Sequence, residues 1–155
     1  MISTRQATVA DIPWILKQLR DFDHFFGAGR SLFPEDPSHA ERIIAGLIAN
    51  HVFYVALEHA ENDVAGFGVG FIAGHLAQHP FNPDITMLTE LFWWVEPASR
   101  GTRAGSLLLD AYVAAGRTSA HWVLMTLEHD SPVNDRMLLK RGFKPKERSY
   151  LLEVA

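Results

Sequence analysis

The sequence predicts a single α/β domain built on a mixed sheet, from three observations. The 155 residues fit one domain that is large enough to bury a core. Hydrophobic residues make up 48% of the chain and charged residues 21%, close to the averages of globular proteins. Strand-like and helix-like segments follow one another in the order βααβββαβαβ, with no repeat and no internal linker. We therefore expect one domain over residues 1–155.

The first half of the chain predicts a strand, two helices and a β-hairpin. The segment "ISTRQAT" is a short strand, and "DIPWILKQLRDF" has apolar residues at helical spacing. An aromatic-rich loop, "DFDHFFGAGRSLFPEDP", leads to "SHAERIIAGLIAN", where Ser38 and Glu41 predict a capping box at the start of the second helix. The β-rich segments "HVFYVALEH" and "VAGFGVGFIAGHLA" flank a turn at Asn62 and predict an antiparallel pair.

The second half predicts a central strand, a long helix, a further strand, a short helix and a last strand. The segment "ITMLTELFWWV" has few charges, as does a strand covered on both faces. From Arg103 onward apolar residues recur at helical spacing, and Gly116 can end that helix. "HWVLMTLEH" predicts a buried strand. "SPVNDRMLLKR" predicts a helix with Ser131 at its N-cap, Pro132 at its first position and Gly142 past its end. "GFKPKERSYLLEV" finishes as a strand or half of a hairpin.

Composition and charge exclude several classes of function. The chain has no cysteine, which excludes a disulfide framework, thiolate metal sites and a cysteine nucleophile, and suits a reducing cytoplasm. Its first residues lack the pattern of a secretory signal, and glycine and proline interrupt the longest uncharged stretch, residues 64–83. A net charge of -4 argues against a general nucleic-acid-binding surface. We expect a cytoplasmic protein with no membrane or nucleic-acid partner.

The segment "WWVEPASRGTRAGSLLLD", residues 93–110, predicts an anion-binding corner. A hydrophobic strand ends there, and small residues lead into an apolar helix. The start of a helix exposes backbone N–H groups and carries about half a positive charge, so it binds anions where small residues allow close approach. Arg100 and Arg103 add two cations that oppose the helix dipole, which favours an anionic ligand over a merely solvated helix start. The spacing fits neither a Walker A loop nor a dinucleotide fingerprint.

The element order and this corner together resemble the GCN5-related N-acetyltransferase (GNAT) superfamily over essentially the whole chain. The strongest match is Val95-Glu96-Pro97 followed by Arg100-Gly101 and Gly105, and "LEHDSPVNDRMLLKRGFKP" is similar to the family's closing strand, helix and Gly-Phe pair. The resemblance implies a mixed, mostly antiparallel central sheet flanked by helices, with acetyl-CoA as co-substrate. It also implies a small-molecule or peptide amine as acetyl acceptor, and a homodimer would be ordinary for the family.

The resemblance also implies where the cofactor binds. The backbone of Trp93 to Val95 would bond the pantetheine arm where two strands splay apart, and the amides from Arg100 to Ser106 would hold the pyrophosphate. Arg103 stands where the family signature has glycine, and Ser131 where an asparagine often contacts the arm. We expect the two indoles themselves to pack in the core. The implied cofactor-binding residues are Trp93, Trp94, Val95, Arg100, Gly101, Thr102, Arg103, Ala104, Gly105, Ser106 and Ser131.

Glu90 is the candidate general base. Acetyl transfer to an amine requires a neutral nucleophile and a route for its proton, and Glu90 is the one charge in "ITMLTELFWWV". Strand alternation places Glu90 on the same face as Phe92 and Trp94, opposite Trp93 and Val95. An ion pair or a cap at the margin of the sheet is the alternative role for this carboxylate.

The general acid of the family is missing, because Leu138 stands where many members have tyrosine. A thiol has a pKa of about 8.5, so the CoA thiolate can leave without strong acid help. Tyr150 could supply a proton, although packing on a late strand is the better expectation. Leu138 and Ser131 leave a second function open, a non-catalytic acyl-CoA-binding or protein-interaction module on the same fold.

Two further groups of residues carry weaker hypotheses. Phe25, Phe26 and Phe33 of the first loop could line an acceptor pocket or only anchor the loop. His75 and His79 in "HLAQH" lie four residues apart without the glutamate of an HExxH motif, so we expect no metal site.

Overall fold

The computed structural model describes residues 1–26, 36–129, 131 and 133–152. Within these ranges the chain forms five strands and four α-helices. Short 3-10 turns, Val9–Asp11 and Pro97–Ser99, lie before the first and third helices. The elements in chain order are β1 (Ile2–Gln6), α1 (Ile12–Phe26), α2 (Ser38–Asn50), β2 (Val52–Glu58), β3 (Phe67–His79), β4 (Asn82–Val95), α3 (Ala104–Ser119), β5 (Trp122–Leu124) and α4 (Arg136–Leu139).

The strands form one mixed sheet in the order β1-β2-β3-β4-β5. The first three pairings are antiparallel, and β5 lies parallel to β4. A parallel pair needs a crossover connection, and α3 supplies it. The predicted mixed, mostly antiparallel sheet flanked by helices is therefore confirmed, as is the predicted antiparallel pairing of the hairpin β2–β3.

Two hydrophobic cores cover the two faces of the sheet. On one face α1 and α2 pack their apolar stripes, with Ile15 and Ile44 buried against Phe71. On the other face α3 packs Leu108 and Tyr112 against the strands. Each fully buried aliphatic side chain contributes about 1.5–3 kcal/mol, so the two layers fix the positions of the helices relative to β4. Among the described helices, none has the length and hydrophobicity that a membrane crossing requires.

A β-bulge interrupts the regular pairing of β4 with β3. Phe92 pairs with Ala73 and Glu90 with Gly74, so Leu91 is an extra residue on β4. An extra residue reverses the alternation of side chains beyond it.

The predicted face of Glu90 is consequently wrong. Glu90 follows Leu88 in regular alternation and shares its face, the one that α3 covers. Phe92 and Trp94 pack on the opposite face, under α1 and α2. No glycine or proline marks the bulge on β4 itself, so simple alternation along that strand could not reveal it.

Two glycines let α3 lie close to the sheet. A Cβ on Gly74 would lie 2.5 Å from Cε2 of Tyr112, and a Cβ on Gly116 would collide with the side chain of Val123. The expectation that Gly116 ends the helix is wrong, because α3 continues to Ser119. Gly116 is required for close packing against β5 rather than for termination.

Two of the predicted helix caps are wrong. Pro37, not Ser38, precedes the first residue of α2, and the Ser38 hydroxyl donates to Oδ2 of Asp36 at 2.9 Å. The helix predicted from Ser131 is restricted to Arg136–Leu139, with Asp135 at its N-cap. The Ser131 hydroxyl instead accepts the N–H of Val133 at 3.2 Å, and Pro132 lies outside the described residues.

The predicted strands after α3 are shorter than expected. The segment "HWVLMTLEH" contributes only three strand residues, because β5 leaves β4 after Leu124. Residues 143–152 form no strand, so that prediction is wrong over the described part of the segment. Tyr150 is 88% exposed and does not pack on a strand.

Candidate active site

A cleft of about 520 Å³ opens where β4 and β5 diverge. The two strands pair only from Met87 to Thr89 of β4, and the chain after Leu124 turns away from the rest of β4. The walls come from the end of β4, the first turn of α3, the segment after β5 and α4. Most of the segment predicted to bind an anion therefore lies in the wall of this cleft, although Arg103 and the buried Ala104 are not among the residues that line it.

The end of β4 presents backbone groups to the cleft. The N–H of Glu96 donates to Val69 O on β3 at 2.9 Å. Successive residues of a strand point their backbone groups to opposite edges, so Trp93 and Val95 point theirs to the edge that faces the cleft. The carbonyl of Val95 confirms this direction, because it accepts a bond from Nε of Arg100 at 3.2 Å. Trp93 offers an N–H and a C=O at an edge that β5 no longer covers.

The corner between β4 and α3 is held by Thr102. Its hydroxyl donates to Ser99 O at 2.7 Å and accepts the N–H of Ala104 at 3.2 Å. The left-handed residue of this corner is Gly101, with φ of +86°. Arg103 has φ of -79°, so the turn does not require glycine at that position.

The first turn of α3 exposes backbone donors to the cleft. The first α-helical bond runs from the N–H of Leu107 to Arg103 O. The N–H groups of Gly105 and Ser106 precede that bond and have no acceptor within the helix. Both residues line the cleft. With the guanidinium of Arg100 on the same wall, this first turn has the geometry and charge of an anion site.

Arg100 is placed by an aromatic and polar network that the sequence pattern does not reveal. Its guanidinium lies 4.7 Å from the ring centroid of Trp94, and desolvation lowers the pKa of Arg100. The indole N–H of Trp94 donates to Oε1 of Gln18 at 2.9 Å, and Nε2 of Gln18 donates to Oε1 of Glu96 at 2.6 Å. The network joins α1 to the end of β4. Gln18 could have been suspected only as a buried polar residue in an apolar helix stripe.

Glu90 lies at the point where β4 and β5 separate. The residue is 9% exposed and lines the cleft. Burial raises the pKa of its carboxyl to about 7, with a smaller increase from the charge of Glu128. The N–H of Thr126 donates to Oε2 of Glu90 at 3.3 Å and lowers this pKa in part. A carboxyl with a pKa near 7 can accept a proton at neutral pH.

The two tryptophans have different surroundings. Trp94 is 3% exposed and packs in the core, as expected of its indole. Trp93 lines the cleft and lies 3.7 Å from a Cβ built on Gly105. Its buried indole N–H has no acceptor among the described residues.

The three positions that depart from the family pattern or could replace its acid lie in different places relative to the cleft. Ser131 is in the cleft wall, whereas Leu138 is buried and Tyr150 lies on the exposed C-terminal segment. Tyr112 donates its hydroxyl to Leu124 O at 3.3 Å, and burial raises its pKa. Tyr112 therefore binds the end of β5 at the point where the two strands separate. Its raised pKa makes it a poor proton donor at neutral pH.

The structure places His75 and His79 too far apart along β3 to bind one metal ion together. His75 and His79 lie four residues apart on β3, which is about 13 Å along a strand. Side chains at that separation cannot ligate one ion. No group of three potential metal ligands occurs within the described ranges. The loop hypothesis for Phe25, Phe26 and Phe33 falls outside the side chains that the structure describes.

Arg141 is a second residue that the sequence pattern does not single out. It follows α4 and forms an ion pair with Asp110 of α3, with Nε and Oδ1 2.7 Å apart. Its Nη2 also donates to the hydroxyl of Ser106 at 2.8 Å. In the sequence Arg141 is one more charge in the basic segment "LKRGFKPKER", so no signal separates it from solvated neighbours.

Comparisons of the chain with protein-family models and with curated proteins found no match. Solved structures match over almost the full length. An acetyltransferase of Trypanosoma brucei is 19% identical with a TM-score of 0.70, and the match covers 99% of this chain and 100% of that one. A predicted acetyltransferase of Clostridium acetobutylicum, solved with acetyl-CoA, is 20% identical with a TM-score of 0.68 over 99% and 96%. The chain has the GNAT fold.

The GNAT fold is also shared with a protein described differently. A transcriptional regulator of Bacillus halodurans C-125 is 19% identical, with a TM-score of 0.72 over 99% of this chain and 100% of that one. Likeness at this level of identity extends to the fold, so the activity must be argued from the cleft itself.

Proposed function

We propose that this protein is an acetyl-CoA-dependent N-acetyltransferase that transfers the acetyl group directly to a primary amine in a ternary complex. The observation that carries the proposal is the position of Glu90. This buried carboxyl, with a pKa raised to about 7, lies where β4 leaves β5 and beside an unpaired strand edge. A perturbed carboxyl in a cleft is typical of an acid-base site.

The cleft fits the cofactor in two respects. The pantetheine arm of CoA contains amides, and the backbone of Trp93 at the uncovered edge of β4 offers a donor and an acceptor to them. The pyrophosphate carries negative charge, and the N–H groups of Gly105 and Ser106 and the guanidinium of Arg100 offer donors and positive charge. The cofactor supplies an activated thioester, and the protein supplies orientation and a proton acceptor.

Glu90 would take the proton of the attacking amine, directly or through one water. The amine nitrogen forms the new C–N bond, the C–S bond of the thioester breaks, and the proton leaves nitrogen for the Glu90 carboxylate. An exposed glutamate would be a weak base for an ammonium group, whereas a carboxylate with a pKa near 7 is a stronger one. Glu128 on the same cleft would favour a cationic acceptor over an anionic one.

The departing thiolate would leave without a dedicated acid. Leu138 is buried, and no tyrosine is among the described residues of the cleft wall. With a pKa of about 8.5, a thiolate is an acceptable leaving group near neutral pH and takes its proton from solvent. The same observation favours the second candidate function, a non-catalytic acyl-CoA-binding module.

Calorimetric titration with acetyl-CoA and CoA tests the cofactor part of the proposal. We expect the wild-type protein to bind both ligands. The double variant Arg100→Ala/Arg103→Ala should weaken binding by at least about tenfold, since a charged hydrogen bond from Arg100, which lines the cleft, is worth about 1.5–3 kcal/mol. Arg117→Ala, which removes an exposed arginine from the last turn of α3, should leave the affinity unchanged. Absence of binding to the wild-type protein would refute the proposal.

An amine screen then separates the two candidate functions. Release of free CoA thiol in the presence of polyamines, amino acids, aminoglycosides or peptides would demonstrate transfer. Glu90→Gln should bind CoA as the wild-type protein does and reduce the rate of transfer by about 10²- to 10⁴-fold. CoA binding with no turnover on any amine would support the binding module instead.

A further inference from the structure

Arg141 carries an inference that rests on the proposed function and extends it. Its side chain is only 19% exposed and does not line the cleft, but it contacts Ser106, which does. It makes contacts on both sides of the gap between α3 and α4. Nε pairs with Asp110 on α3 at 2.7 Å, and Nη1 donates to Met137 O on α4 at 2.9 Å. Arg141 therefore fixes α4 to the helix whose first turn is the proposed phosphate site.

The contact with Ser106 determines what the serine hydroxyl can do. Nη2 of Arg141 donates to Ser106 Oγ at 2.8 Å, so this oxygen acts as an acceptor towards the guanidinium. A serine hydroxyl has one hydrogen to donate. Other hydroxyls near helix ends return their hydrogen to a helix carbonyl, as Ser119 does to Ala115 O at 2.8 Å. The Ser106 hydroxyl makes no such bond within the part of the chain that the structure describes.

We propose that Arg141 is a positioning residue that makes the Ser106 hydroxyl a dedicated donor to the pyrophosphate of CoA. The guanidinium occupies one lone pair of Oγ, which leaves the hydrogen to be donated into the cleft that Ser106 lines. A hydroxyl that accepts a charged hydrogen bond is polarised and becomes a stronger donor. Arg141 thus contributes to anion binding through Ser106, while Asp110 balances its own charge.

The test is a double-mutant cycle in CoA affinity, measured by calorimetry. Ser106→Ala and Arg141→Gln should each weaken CoA binding by about tenfold, the value expected of one charge-assisted hydrogen bond. If Arg141 acts through Ser106, the double variant should lose about tenfold rather than about a hundredfold. Dephospho-CoA, which keeps the pyrophosphate but lacks the 3′-phosphate, should show the same losses. Lys140→Gln, which removes the neighbouring exposed cation, should leave the affinity within about twofold.

Arg141→Lys separates this role from a purely structural one. A lysine ammonium can pair with Asp110 but lacks the planar fork that reaches Asp110, Met137 O and Ser106 together. We expect Arg141→Lys to keep the wild-type melting temperature within about 2 °C and to lose CoA affinity as Arg141→Gln does.

Three results would overturn the inference. The first is wild-type affinity in Arg141→Lys or Arg141→Gln, and the second is additive losses in the double variant. The third is a loss confined to CoA and absent with dephospho-CoA, which would place the hydroxyl at the 3′-phosphate. If the wild-type protein binds no CoA, the proposed function fails and this inference fails with it. Wild-type binding with unaffected variants refutes the inference alone.

Discussion

Replacing Glu90 with glutamine should make the protein more stable at alkaline pH while it removes the proposed base. Folding buries this carboxyl and raises its pKa from 4.5 to about 7, mainly by desolvation. The folded state therefore binds the Glu90 proton more tightly than the unfolded state does. In the wild-type protein, stability from this site is present below pH 4.5 and is lost as the pH rises to about 7. Glutamine stays neutral and avoids the loss.

The magnitude follows from the two pKa values. At about 1.4 kcal/mol per pKa unit, ionising the buried carboxyl costs about 3 kcal/mol at pH 8. At pH 5 the folded protein keeps Glu90 protonated, and the loss of stability at this site, relative to low pH, is only about 1 kcal/mol. The advantage of Glu90→Gln over wild type should therefore be about 2 kcal/mol larger at pH 8 than at pH 5. The amide oxygen can still accept the N–H of Thr126, so that hydrogen bond does not confound the comparison.

Urea unfolding of the two proteins at pH 5 and pH 8 measures this difference. Glu61→Gln is the matched control, because it removes an exposed carboxylate outside the cleft, whereas the charge of Glu128 itself contributes to the raised pKa of Glu90. We expect its free energy of unfolding to follow that of wild type within about 0.5 kcal/mol at both pH values. A Glu90→Gln advantage that is equal at pH 5 and pH 8 would refute the raised pKa and, with it, the principal argument for Glu90 as a base.

The remaining predictions concern glycines on the helices. Gly105→Glu should abolish CoA binding with an unchanged fold, because the new carboxylate would enter the anion site. Gly105→Ala should bind CoA normally, since a Cβ at this position meets atoms only at 3.7 Å. Calorimetry checks both variants, and tight CoA binding by Gly105→Glu would contradict the phosphate site. Gly116→Ala should destabilise by about 1–2 kcal/mol in urea unfolding, because its Cβ collides with Val123. Gly46→Ala in α2, with open space around the Cβ, should stabilise by about 0.5–1 kcal/mol. Equal gains at Gly46 and Gly116 would show that α3 is not closely packed on β5.

The parts of the fold that could be predicted from sequence are those with regular periodicity. The apolar stripes of α1 and α2 and the long strands β3 and β4 repeat a pattern over many residues, and burial follows directly from it. The corner from Arg100 to Ser106 could also be located, because glycine and small residues between a hydrophobic strand and an apolar helix are typical of a backbone anion site.

The parts that could not be predicted depend on a few local contacts. The Ser38 capping box competes with Asp36, whose carboxylate binds both the hydroxyl and the N–H of Ser38. The helix expected from Ser131 begins only at Arg136, because Asn134 Oδ1 accepts the Arg136 N–H and the chain turns there. The side-chain partners of Arg141 and Gln18 lie 31 or more positions away, and no short window of sequence contains both members of such a pair.

The extra residue in β4 shows why a site can be found on the right segment and still be assigned the wrong face. Without the bulge at Leu91, Glu90 would share a face with Trp94 and lie under α1 and α2. With it, Glu90 and Trp93 are both on the α3 face, although regular alternation would place them on opposite faces. One irregular residue therefore brings the buried carboxyl and the uncovered strand edge to the same cleft. Deleting Leu91 should make Glu90 and Phe92 adjacent, so that the pairing with β3 becomes regular while Glu90 stays on the α3 face and Phe92 and Trp94 stay on the opposite face.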